Sequence, residues 1–173
     1  MARSLASFAR ALAAGAIFTL SGVGMAADID ALWDYAKPAE SEARFREVLK
    51  TETGDAALEI ETQIARTFSM RRDFVRANSM LDAVAARTSG NTAPRVRIRY
   101  LLERGRTLNS SVQFEKAKPL FSDAFQLAQR ENEVLLAIDA AHMFGFSKNL
   151  DEAMSWNQVA MRLALASELP RAI

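Results

Sequence analysis

The sequence predicts an all-α protein, a stack of about three helical hairpins closed at its N-terminal end by a capping helix. Three observations carry this expectation. The 173 residues include only 7 Gly and 4 Pro, so good helix formers run on with few breakers. No alternating run of Val, Ile or Thr reads as a strand. One pattern of small, aromatic and apolar residues also recurs at offsets of 40 and then 36 residues, the mark of a repeat architecture.

Composition narrows the class further. Half the residues are hydrophobic and a quarter charged, which excludes a wholly disordered chain, since such a chain buries too little apolar surface to offset its entropy. The absence of cysteine excludes disulfides, iron–sulfur clusters, thiolate zinc sites and a cysteine nucleophile.

Residues 1–26 read as a secretory leader. Met1 to Arg10 carries Arg3 and Arg10 and no acid, and Ala11 to Gly24 is apolar but too short for a stable membrane span. Gly24 and Ala26 are the small residues that signal peptidase prefers, so cleavage is expected after Ala26, with the mature chain periplasmic or secreted. The competing reading starts translation at Met25 and leaves a cytoplasmic protein. Without Arg3 and Arg10, 20 of the 22 basic residues remain against 21 acids. Such a near-neutral domain lacks the electrostatic footprint of a nucleic-acid binder.

Residues 27–53 form the predicted cap. Ala31 to Tyr35 and Ala39 to Lys50 read as short helices separated by Lys37-Pro38, a helix-start signal. Phe45, Val48 and Leu49 give the second an apolar face, and Trp33 and Tyr35 would seal the same edge.

Residues 54–173 hold the repeats, in hairpins at 54–90, 94–130 and 132–167. Leu101, Gly105 and Leu108 share one helix face, and Phe114, Ala117, Phe121 and Ala124 share the next. Gly105 lets the second helix approach closely. Ala65, Phe68, Phe74, Ala77, Leu81 and Val84 repeat the pattern upstream; Ala137, Ala141, Phe144, Leu150, Ala153, Asn157 and Ala160 repeat it downstream. The loop Ala86 to Ala93 lengthens the first spacing before Pro94 opens the next helix. Trp156, Met161, Leu163 and Leu165 make the last helix apolar on more than one side. That predicts either self-association through the C-terminal hairpin or continuation in a longer array.

These residues resemble the tetratricopeptide repeat family over about Ala56 to Ser167. The family pattern of a small residue, an alanine and a bulky apolar residue is met by Gly105, Ala117 and Phe121, and by Ala65, Ala77 and Leu81. The third copy has Asn157 at the bulky position, and Ser89, Gln129 and Leu165 stand where a closing proline is usual. The resemblance implies a right-handed superhelical stack whose first helices line a concave groove. It places Arg66, Arg106 and His142 at one groove position of successive hairpins, with Arg99, Ser69 and Asn109 at neighbouring ones.

Two readings of that groove stand side by side. Arginine forks bind carboxylates bidentately and Asn bonds an extended backbone, which suits an acidic or C-terminal peptide segment. Alternatively Arg66 and Arg106 pair with groove acids such as Glu59, Glu103 and Asp139. The denser cluster Arg95, Arg97, Arg99, Arg104 and Arg106 is expected to spread around a solvated helix face and to bind no nucleic acid.

Nothing in the pattern points to catalysis. His142 is the only histidine; Asp139 lies one turn before it, yet no nucleophile turn accompanies them. One imidazole and no thiolate suit no metal site, and no Gly-rich phosphate loop follows a strand. The expected function is a non-catalytic scaffold that takes a protein or peptide and needs no cofactor. The other expectation is a regulatory or ligand-sensing module, either a piece of a longer array or one that self-associates.

Overall fold

The computed structural model describes residues 28–146 and 149–167. The predicted leader and both candidate start points fall outside them. A 3-10 turn, Ile29–Leu32, precedes seven helices: α1 Pro38–Leu49, α2 Gly54–Met70, α3 Phe74–Arg87, α4 Pro94–Ser110, α5 Phe114–Arg130, α6 Val134–Phe144 and α7 Leu150–Ser167. Among the described residues there is no strand, and each helix packs on the next from α1 to α7. The protein is an all-helical stack.

Local chemistry sets the helix ends. Pro38 and Pro94 occupy the first positions of α1 and α4, where a missing N–H costs nothing. Asp73 caps α3 by accepting the Arg76 N–H at 3.1 Å. The turns after α2, α4 and α5 share one geometry. Arg72, Val112 and Asn132 adopt positive φ of 63°, 66° and 56°. The N–H groups of Asp73, Gln113 and Glu133 then donate to the carbonyls of Phe68, Leu108 and Ala128, each at 2.9 Å. These bonds satisfy helix-end carbonyls that would otherwise lack a partner.

The repeated residues form the core. Ala65, Ala77, Leu81, Val84, Ala117, Phe121, Ala124, Ala141 and Ala153 are all buried. A Cβ on Gly105 would overlap the Phe121 ring, so the close approach of α4 and α5 requires glycine. One apolar cluster joins α4 to α7, with Phe144 stacked on Trp156 at 4.4 Å and edge-on to Phe121 at 6.2 Å. A second joins the 3-10 turn, α1, α2 and α3 around Phe45, Ile60 and Ile64. Asn157, out of pattern in the sequence, sits against Gly145 at the end of α6, where a Cβ would overlap its amide.

The cap departs from expectation in one respect. The predicted helix Ala31 to Tyr35 is a single 3-10 turn that ends at Leu32, and Trp33 is extended at φ −80°, ψ 134°. The extended backbone carries the indole onto Phe45, edge-on at 5.1 Å, and lets its N–H donate to Gln63 Oε1 at 3.1 Å. Two tertiary contacts outweigh a short helix that nucleates poorly alone. No helix among the described residues is long and apolar enough to cross a membrane.

Candidate functional site: the groove across α2, α4 and α6

The first helices of the three hairpins lie in sequence, and their shared register turns equivalent positions to one side. There a hollow of about 860 Å³ is lined by Tyr35, Arg66, Arg99, Leu135, Ile138 and His142, among others. It adjoins a narrower one of about 360 Å³ that includes Ser69, Arg106 and Asn109. Arg66, Asp139 and His142 line both. The six residues nominated from the sequence therefore open on one groove.

The groove's cations are not free. Arg106 donates to Glu103 Oε1 at 2.6 Å and also binds Asp139. Arg66 faces the same Glu103 at 3.6 Å, and its guanidinium lies 5.2 Å and 5.1 Å from the Trp33 and Tyr35 ring centres. Arg99 pairs with Asp30 at 3.1 Å and with Glu59 at 3.3 Å; Arg95 pairs with Glu59 at 2.9 Å and with Glu133 at 2.7 Å. Four guanidiniums thus meet five carboxylates, and the pairing reading of the groove describes what is there.

The solvated helix face expected for the arginine cluster needs correction. The five arginines do spread around α4, but Arg99 is only 4% exposed and the Arg106 side chain 11%. Acids from α2, α4, α6 and the 3-10 turn converge on them, so burial is offset by pairing. Burial pulls Arg106 toward its neutral form; the facing charges of Asp139 and Glu103 outweigh it and hold the pKa above the ordinary guanidinium value. Burial likewise opposes ionisation of Asp139, and Arg106, followed by Arg66, overrides it and lowers the carboxyl below its usual range. Glu103 is fully buried, with Oε2 lacking a hydrogen-bond partner.

The remaining nominated residues differ in access. Ser69 is buried, Asn109 is half-buried, and His142 is exposed with its ring 5.3 Å from Phe146. Sequence reasoning missed Asp30 and Glu133 in the ion network, and Leu135 and Ile138 in the groove wall. The last two were within reach: they occupy, in the third hairpin, the register positions of Arg99 and Leu102. Asp30 and Glu133 carried no such signal, because neither belongs to the recurring hairpin pattern.

Among the described residues no group of three His, Asp or Glu side chains could hold a metal ion. The fold and groove define a class, an all-helical stack with a solvent-open channel across the first helix of each hairpin. Comparison with protein-family models, curated proteins and solved structures gave no match.

Proposed function

We propose that the protein is a non-catalytic scaffold whose groove holds a segment of another protein or a peptide, in the manner that its resemblance to tetratricopeptide repeats suggests. The observation that carries this reading is the change of chemistry along the groove. Around α2 and α4 its floor is a closed ion network, whereas α6 offers half-buried Leu135 and Ile138 beside a hollow of about 860 Å³. A mostly apolar concavity with a few fixed polar groups is the usual make-up of a binding site.

That chemistry selects an occupant. An acidic segment would have to compete with Glu103 and Asp139 for Arg66 and Arg106, leaving buried charge unpaired during the exchange. A neutral amphipathic segment avoids that cost. It sets apolar side chains against Leu135 and Ile138 and polar groups toward Asn109 and His142. The ion network then acts as a rigid floor. Asp139, the acid one turn from His142, is engaged by Arg106, which further favours binding over catalysis. The leader-like residues 1–26 support placing this scaffold in the periplasm or outside the cell.

A random peptide display library panned on the protein tests the reading. Selected peptides should carry bulky apolar anchors without an excess of Asp or Glu. Leu135→Asp with Ile138→Asp should weaken them more than about tenfold, roughly 1.4 kcal/mol. Selection of acidic peptides, or peptides indifferent to both substitutions, would overturn it.

A further inference from the structure

We infer that α7 is a self-complementary docking face on which a second copy of this chain pairs in antiparallel fashion. This surface is separate from the ion network and goes beyond the groove reading, although its Met161 and Leu165 also border the groove hollow. Leu150, Met154, Met161 and Leu165 are 76%, 61%, 61% and 65% exposed. At 3.6 residues per turn they fall within about 60° of one another, on a stripe about 22 Å long. Four large apolar side chains on one face of one helix exceed the scattered exposure that ordinary surfaces show.

The pattern itself names the occupant. The spacings along the stripe are four, seven and four, which read the same from either end. An antiparallel α7 pair therefore sets Leu150 opposite Leu165 of the second copy and Met154 opposite Met161. Gln158, exposed, flanks the two-fold axis beside the stripe, while Asn157 is engaged with Gly145 at the end of α6. An isologous interface demands this kind of self-match. A helix of an unrelated partner would have no reason to make the stripe symmetric.

Charge agrees with the same arrangement and gives the parallel one no support. Asp151 and Arg162 are exposed on the same flank of the stripe, near its opposite ends. Neither forms an ion pair among the described residues; Glu152, on the other side, is the acid that reaches Lys118 at 3.3 Å. Antiparallel pairing brings Asp151 beside Arg162 of the second copy, twice by symmetry. Parallel pairing would put the two copies of this flank on opposite sides of the seam, where neither pair forms.

Sedimentation equilibrium of the full chain at micromolar concentration tests the proposal. The expected mass is twice the chain's 19.1 kDa. Leu150→Glu with Met154→Glu should return it to monomer with helix content by circular dichroism unchanged. Asp151→Arg alone and Arg162→Asp alone should each raise the dimer dissociation constant about tenfold, the like charges adding to the lost pairs. The two together should restore it. A chain that stays monomeric with native helix content would refute the inference. So would a dimer indifferent to the Leu150 and Met154 substitutions, or a double charge swap that fails to restore pairing. Because Leu150 and Met154 lie outside the groove lining, failure here is distinct from failure of the groove reading.

Discussion

The groove has two halves made from equivalent positions, and they are held by opposite means. Over α2 and α4 the positions are filled by Glu59, Arg66, Arg99 and Arg106, locked into an ion network that leaves Glu103 without solvent contact. Over α6 the same register brings Leu135 and His142, with Ile138 beside them; these meet no carboxylate partner in the network and stay half-buried or exposed. Repetition of backbone geometry does not carry repetition of side-chain chemistry. The polar half is rigid because a broken pair strands a charge in a poorly solvated place. The apolar half keeps surface in reserve because nothing among the described residues covers it.

Breaking the polar half should give the largest effect. Glu103→Ala leaves Arg66 and Arg106 facing one carboxylate fewer and opens a cavity, and should cost about 3 kcal/mol of stability in urea unfolding. Replacing Glu103, Arg106 and Asp139 together by apolar residues of similar volume should come closer to neutral, since no charge is then left alone. A single substitution that costs no more than the triple one would mean the network is not closed.

Asp139→Asn should have an intermediate effect, about 1–3 kcal/mol near neutral pH. It also carries a pH signature whose sign follows from linkage. The carboxyl sits below its ordinary value of 3.8 in the folded state, so its stabilisation is complete above that value and is lost as pH falls through the lower, folded value. Wild type should therefore lose more stability than Asp139→Asn between neutral pH and about pH 3. Parallel acid profiles for the two proteins would contradict the assignment.

The smallest effect on stability belongs to the apolar half. Leu135→Ala and Ile138→Ala should each cost about 1 kcal/mol or less, because half-buried side chains give up little transfer energy. A cost as large as that of Glu103→Ala would show that α6 depends on these residues for its packing and would remove the contrast between the halves.

Much of the architecture was legible before any coordinates. The recurring alanines, Gly105 and Phe121 predicted the hairpins, Pro38 and Pro94 marked two helix starts, and shared register brought all six nominated groove residues to one groove. Those features are local: helical period, capping and close approach each depend on residues a few positions apart. The three left-handed turn residues were less visible, because Arg72 and Val112 adopt a conformation that sequence rules reserve for Gly or Asn.

What the fold alone decided was the state of the charges. Whether an arginine is free to hold a ligand or closed by an acid depends mostly on partners 33 to 69 positions away, as with Arg106 and Asp139 or Arg99 and Asp30. Coulomb attraction depends on distance in space, and no periodicity along the chain records that distance. The chain thus spells out where its groove runs; packing settles which of the groove's side chains remain unclaimed.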